Sequence, residues 1–313
     1  MSLSILMAVK NGAPFLENSL TQIKKNISTG DEVIIVNDGS VDSTIKILEK
    51  WKRKIENLRI LDSRGLGLVY SLNLGIREAS NEWIARFDVD DNYSDNRLAE
   101  QRILIENNVA AIFCDYNFFD HSNKSLGFIP TGILPSATAL SLISSQRTPH
   151  PGVIFSKTAA YAAGLYRSED FPAEDISLWL RMAKEGHLIS TPKRLLNYRI
   201  NPNSISSNNR KEAISKKHFL LLNIGINKKY FIDCLDNYKS IFEYYDFTAD
   251  SFERKILLVR DLRIYKKLFR QDVNSSQPLS EIGVLLLSDI HTHKAYFRLL
   301  KGQIARKISR AIN

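Results

Sequence analysis

The feature that most constrains this chain is an alternation through its first half, where short β-branched runs take turns with longer segments of helical period. Parallel strands cannot be joined by a tight turn and need a crossover, usually a helix. The alternation is therefore the βαβα signature of an α/β fold with a mostly parallel sheet flanked by helices. Strands are predicted at residues 4–9, 33–37, 58–61, 83–87 and 110–113, with helices near 13–25, 42–54, 67–79 and 96–106 between them. A less regular stretch follows, punctuated by Pro130, Pro135, Pro149, Pro151 and Pro172, and includes a helix near 174–185. Past Asn201-Pro202-Asn203-Ser204 the character changes, with amphipathic helical segments at 214–222, 252–268 and 294–312 and one strand-like run at 282–287. The expectation is a body over residues 1–205 and a mainly helical region over 206–313.

Charge divides the chain at the same place. Residues 1–205 carry 23 Lys+Arg against 23 Asp+Glu and residues 206–313 carry 20 against 11, so the whole excess of +9 lies in the last third. A neutral body with a basic tail reads as attraction to a polyanion such as a membrane surface or nucleic acid. Near the C-terminus Lys294, Arg298, Lys301, Arg306, Lys307 and Arg310 share a helical pattern with Phe297, Leu300, Ile304, Ile308 and Ala311. Such a helix fits either a membrane interface or packing on the body with a solvated face. Nucleic acid is disfavoured, because no recognised binding motif or set of interleaved aromatics accompanies the arginines. At 313 residues, 44% apolar and 25% charged, the chain is long enough to bury a sizeable core and is not of the disordered class. Its two cysteines, Cys114 and Cys234, are far apart and outside any Cys-x-x-Cys pattern, which excludes a disulfide framework and a structural zinc site and favours a reducing cytoplasm. With neither an apolar run of spanning length nor a leader-like start, the expectation is a chain that neither crosses a membrane nor is exported.

Open parallel sheets bind ligands outside the carboxyl ends of their strands, so the polar residues there are the first candidates. Lys10, Asn11 and Gly12 follow the first strand, and Asn37-Asp38-Gly39-Ser40 with Asp42 and Thr44 follows the second. This second segment fits a tight turn with a helix cap, and equally an Asp that accepts from the N3–H of a uracil base. The fourth strand ends in Arg86-Phe87-Asp88-Val89-Asp90-Asp91-Asn92, three carboxylates within four residues. Like charges that close are costly unless solvated or joined by a cation, and oxygen ligands suit Mg²⁺ or Mn²⁺ shared with a diphosphate. An EF-hand is excluded, because Tyr93 stands where glycine is required and Ala99 where the bidentate Glu belongs. Glu174-Asp175 opens a helix with an apolar stripe through Ile176, Leu178, Trp179, Leu180 and Met182. The pair fits a charge–dipole contact, and equally a general base held on a rigid element.

As a group these residues resemble the inverting family 2 glycosyltransferases of the GT-A fold, a Rossmann-like sheet flanked by helices. The resemblance runs from Ser4 to about Ser206. It rests on Asn11-Gly12 with Glu17, Asn37-Asp38-Gly39-Ser40 with Asp42 and Thr44, Gly67-Leu68 with Leu72-Asn73 and Gly75-Ile76, Arg86-Phe87-Asp88-Val89-Asp90-Asp91, His150-Pro151, Glu174-Asp175 with Trp179 and Arg181, and Tyr198-Arg199 with Ser204. It implies a nucleotide-sugar site at Val9, Asn11, Glu17, Asp38, Arg64, Asp88, Val89, His150 and Glu174, with Asp38 at the base and Asp88 near the ribose. By the same likeness Asp90, with Asp91 and Asp88, would hold Mn²⁺ or Mg²⁺ on the diphosphate, and Asp175 would be the general base. Two positions depart from the family's habit: Gly65, preceded by Arg64, stands where an Asn is common, and Asn201 where a His is common. A lone His before a Pro, as at His150, also fits a packed structural residue.

The implied activity is transfer of a hexose (glucose, galactose or an N-acetyl form) from a UDP-sugar to a hydroxyl of a lipid-linked or surface glycan, as in O-antigen or capsule assembly, with a β-linked product. The expected location is cytoplasmic, peripheral at the inner face of the plasma membrane. A nucleotidyl- or phosphotransferase would be expected to carry a Gly-x-x-x-x-Gly-Lys-Ser/Thr loop, which is absent. A catalytically silent sugar-nucleotide scaffold would be expected to lack one of Asp38, Asp88, Asp90 and Asp175, and all are present.

Overall fold

A computed structural model of the chain describes residues 1–120, 124–129, 131 and 148–200, with the single positions 209, 212, 213, 216 and 220. All belong to the first of two compact units, Met1–Ile232. The boundary expected near residue 205, the segments expected at 252–268, 282–287 and 294–312, and nearly all of 214–222 lie outside the described residues.

Nine strands occur among the described residues: β1 (Leu3–Val9), β2 (Glu32–Asn37), β3 (Leu58–Asp62), β4 (Trp83–Arg86), β5 (Asn92–Tyr93), β6 (Val109–Phe119), β7 (Ser125–Ile129), β8 (Ile154–Ser156) and β9 (His187–Arg199). The helices are α1 (Ala13–Asn26), α2 (Thr44–Trp51), α3 (Leu68–Glu78), α4 (Arg97–Arg102), α5 (Lys157–Ala162) and α6 (Glu174–Met182). One sheet runs β3-β2-β1-β4-β8-β6-β9-β5, with β7 on β6. Its first four strands are mutually parallel, as the alternation predicts. β2 is buried at all six positions, as a central parallel strand covered on both faces must be. Against it and β1 the layers close through residues such as Leu16, Leu20 and Ile23 of α1.

Beyond β4 the sheet departs from the predicted pattern. β8 runs antiparallel to both β4 and β6, whereas β9 pairs parallel with β6 and antiparallel with β5. β9 is the longest of these strands and is not expected from the sequence, because Pro192, Lys193 and Arg194 interrupt its apolar pattern. The pairing absorbs them in a register shift: Cys114 faces Thr191 and the next residue, Asp115, faces Arg194. α2 and α4 are also shorter than predicted. The carboxyl ends of β1 to β4 lie along one edge, and β9 returns to them by way of β5. Among the described residues no helix is long and apolar enough to cross a membrane.

Candidate active site

The loops after β1, β2 and β3 are laced together by their own polar groups. Asn11, in a left-handed conformation at φ +52°, donates its amide N–H to Ser40 Oγ (2.9 Å) and accepts from the Val41 amide (2.9 Å). Asp42 stands just before Ser43, the residue at the N-cap of α2; its Oδ1 accepts from the Thr44 amide, while its Oδ2 accepts from the Ala13 amide at the start of α1. Asp38 is 5% exposed, and its Oδ1 accepts from Ser63 Oγ (2.8 Å) and the Gly67 amide (2.9 Å). Both bonds fall on Oδ1, which leaves Oδ2 as the atom able to accept from a ligand. A side chain on Gly39, at φ +66°, would stand 3.0 Å from the Gly65 nitrogen, so the Asp38 turn lies directly against the Arg64–Gly65 turn. At Gly12 a methyl would overlap Val9 and stand 3.0 Å from Val89, so those two valines meet where β1 and β4 end. Val9, Asn11, Asp38, Arg64 and Val89 are thus gathered at one edge of the sheet. Glu17 is not part of this lacing: its carboxylate accepts from Lys50 Nζ (2.8 Å) and Trp51 Nε1 (2.6 Å), ties α1 to α2, and titrates below the ordinary range because of those two bonds.

The three carboxylates after β4 sit in different surroundings. Asp88 pairs with the guanidinium of Arg86, which is 1% exposed and also donates to the Phe87 carbonyl. Its backbone amide donates to Tyr93 Oη at 2.7 Å. Asp91 is buried; Oδ1 accepts from the Arg199 amide (2.7 Å), and buried Oδ2 has no hydrogen-bond partner. Arg199 also donates Nε to the Asp90 carbonyl (2.9 Å) and lays its guanidinium over the rings of Phe119 and Phe15, so β9 clamps the acidic loop. Burial, then the neighbouring Asp88, pushes the Asp90 carboxyl up to about 6; burial and both other carboxylates push Asp91 well above the usual range.

Among the described residues no group of three or more His, Cys, Asp or Glu converges as a ready metal cage. The donor set nonetheless fits Mn²⁺ or Mg²⁺, hard ions that bind through one or two carboxylates and complete their shell with substrate phosphates and water. Asp88 and Asp90 are half-buried whereas Asp91 is buried, and a cation beside them would offset the repulsion from Asp88 that adds to burial in raising Asp90.

α6 brings a second acidic pair to this region. Glu174 is 5% exposed with an unpartnered buried Oε2, and burial, then Asp175, pushes its carboxyl up to about 8. Asp175 is half-buried, and its Oδ1 accepts from the Ile176 amide (2.7 Å) in the first turn, where the helix dipole favours the anion. Arg86 and Asp88 act electrostatically on both Glu174 and Tyr166, and Trp179 of α6 sets its ring edge-on to Tyr166. His150, half-buried, shares a 2.9 Å hydrogen bond between Nε2 and Tyr166 Oη and sets its ring edge-on to Trp179. Burial, then Arg86, holds its imidazole well below the usual range.

Sequence reasoning overlooked Tyr166 and gave Arg86 no role of its own. Nothing local marks Tyr166. Arg86 does leave a signal: a charge inside the buried strand Trp-Ile-Ala-Arg requires a counter-charge, and Asp88 is two residues on.

The chain matches the family model for glycosyl transferase family 2 over residues 4–136. It is 30% identical over 190 residues to the UDP-Gal:alpha-D-GlcNAc-diphosphoundecaprenol beta-1,3-galactosyltransferase of Escherichia coli, covering 58% of this chain and 68% of that protein. With the amylovoran biosynthesis glycosyltransferase AmsE of Erwinia amylovora it shares 25% identity over 181 residues, 56% of this chain and 66% of the relative. In fold it resembles S. aureus TarS 1-349 in complex with UDP (TM-score 0.57, 15% identity, 86% of this chain and 82% of that one). It also resembles the mannosyltransferase PcManGT of Pyrobaculum calidifontis in complex with GDP-Man and Mn²⁺ (TM-score 0.59, 15% identity, 93% and 82%). The motifs at the strand ends, the family match and the shared architecture lead to one conclusion: this chain belongs to glycosyltransferase family 2, of the bacterial polysaccharide type, on the GT-A fold.

Proposed function

We propose that the protein transfers a hexose from a UDP-linked donor to a hydroxyl of a lipid-linked or surface glycan, with inversion at the anomeric carbon. The observation that carries the reading is the gathering of Asp38, Asp88 and Asp90 at the carboxyl edge of β1 to β4, with Glu174–Asp175 in electrostatic reach of that edge. The UDP-Gal donor in the E. coli relative's name and the UDP held by TarS favour uridine over other bases.

In this mechanism Asp38 accepts from the uracil N3–H, while Val9 and Asn11 line the base pocket and Arg64 approaches a phosphate. Asp175 takes the proton of the acceptor hydroxyl as its oxygen attacks the anomeric carbon from the face opposite the leaving diphosphate. A single displacement of this kind inverts the centre and needs no covalent enzyme intermediate. Mn²⁺ or Mg²⁺, held by Asp88 and Asp90, supplies Lewis-acid stabilisation of the departing diphosphate when bound. Asp91 keeps the loop in place through Arg199. Residues 1–205 form the catalytic domain, and the basic region 206–313 brings it to the membrane surface where a lipid-linked acceptor resides.

The test is turnover with UDP-, GDP- and dTDP-sugars, with Mn²⁺ or Mg²⁺ and with EDTA, beside Asp175→Asn. Metal-dependent turnover of one UDP-sugar that collapses in the variant while UDP still binds supports the reading. Binding without turnover for every donor and acceptor would move the assignment to a sugar-nucleotide scaffold.

A further inference from the structure

Asn73 lies inside α3, buried, in a position where its propensity alone disfavours helix. Both ends of its amide bind one residue far along the chain: Nδ2 donates to the Tyr166 carbonyl (2.8 Å) and Oδ1 accepts from the Tyr166 amide (3.1 Å). An amide that satisfies both backbone groups of one residue holds it as a neighbouring strand would, in both position and rotation. A second clamp acts on the same loop. The Arg181 guanidinium of α6 donates to the carbonyls of Ala163 and Leu165, and Leu165 is in a left-handed conformation at φ +57°. Two polar side chains from two different helices thus hold three residues of the stretch 163–166.

The residue so held, Tyr166, is 3% exposed; its hydroxyl binds His150 Nε2, and its ring centroid lies 6.4 Å from Trp179 on α6. Both α6 carboxylates act on it electrostatically. At the start of the helix that carries Asn73 stands Gly67, whose amide donates to Asp38 Oδ1. α3 thus meets Asp38 at its start and the Tyr166 loop farther along.

We infer that Asn73 and Tyr166 are positioning residues for sugar transfer: Asn73 fixes the Tyr166 backbone, and the Tyr166 hydroxyl fixes the His150 ring beside the helix bearing Asp175. This rests on the proposed transferase activity for its catalytic consequence, though not for the chain of contacts itself.

Two readouts test it, on Asn73→Ala, Tyr166→Phe and the double variant of the full chain. The first is the imidazole nitrogen and carbon NMR shifts of His150 in protein labelled at histidine, which need no donor. Asn73→Ala is expected to move them in the same direction as Tyr166→Phe, with little further movement in the double variant. The second is kinetics with the donor found active. Each single variant is expected to lower kcat at least tenfold with the dissociation constant for UDP changed less than twofold, and the double variant to be no slower than the worse single one. Tyr166→Phe deletes one oxygen and keeps the packing, so it reports even if Asn73→Ala unfolds.

His150 shifts unmoved by Asn73→Ala but moved by Tyr166→Phe would overturn the chain of contacts. Multiplying kinetic effects, or kcat within twofold of wild type in both single variants, would overturn the positioning role. A wild-type protein that transfers from no nucleotide sugar would instead count against the proposed function, with the NMR result still deciding the contacts.

Discussion

Asp38 is asked to do two things, and a pair of substitutions separates them. Replacing it by alanine removes the acceptor for Ser63 Oγ and the Gly67 amide. Ser63 keeps Ser71 Oγ at 2.7 Å and the Asn37 carbonyl at 3.3 Å, so the Gly67 N–H is the group left bare. Hydrogen bonds to a charged acceptor contribute about 1.5–3 kcal/mol each, which with this partial compensation gives a loss of about 2–4 kcal/mol in unfolding free energy. Asparagine keeps an oxygen where the two donors point, since an NH₂ cannot accept from them, but loses the charge, and should cost about 1–2 kcal/mol. Its NH₂ then replaces Oδ2 and opposes the N3–H of uracil, donor against donor. Loss of that bond, about 1.5–3 kcal/mol, corresponds to UDP affinity lower by roughly 10- to 150-fold. Urea unfolding and calorimetric titration with UDP read the two effects. An asparagine variant as unstable as the alanine one, or one that binds UDP like wild type, would refute the reasoning.

Three further outcomes follow from the geometry. Gly75→Ala sets a methyl into Leu6 Cδ1 where α3 packs on β1; overpacking of about 1–3 kcal/mol outweighs a helix-propensity gain of about 1 kcal/mol, so the urea midpoint should fall. Glu174 has a folded value near 8 against an ordinary 4.5, so between those values the unfolded chain releases a proton that the fold retains, and stability declines as pH rises through that window. Glu174→Gln removes this decline, and its stability relative to wild type should improve by a few kcal/mol from pH 5 to pH 8; parallel stability curves would contradict it. EDTA should abolish turnover and Mn²⁺ restore it, while Asp90→Asn should raise the Mn²⁺ concentration needed for half-activity; unchanged metal titration in that variant would remove Asp90 from the metal site.

The parallel half of the fold was legible because its evidence is local. A strand such as β2 announces itself by an unbroken apolar run, the loop after it by Asp-Gly-Ser, and α1 by a helical stripe with Lys24 and Lys25 in its last turn. Candidate residues at those strand ends were therefore legible too. Glu17 was harder, because its partners Lys50 and Trp51 belong to another helix and its own spacing says nothing of them.

By itself the sequence determined the crossover pattern of the first four strands, the acidic segment at the end of β4 and the carboxylate pair opening α6, since hydrophobic period, turn chemistry and helix caps act between near neighbours. Only the tertiary structure decided that β9 pairs with β6 through a shift at Pro192, that Arg199 clamps Asp91, that Arg86 faces Asp88 from within a buried strand, and that Asn73 holds Tyr166. Three of these four join residues far apart in the chain. The fourth, Arg86 with Asp88, is close in sequence but gains its strength from burial. In each case the determining quantity is the desolvation of a polar or charged group, and that exists only once the layers have closed around it.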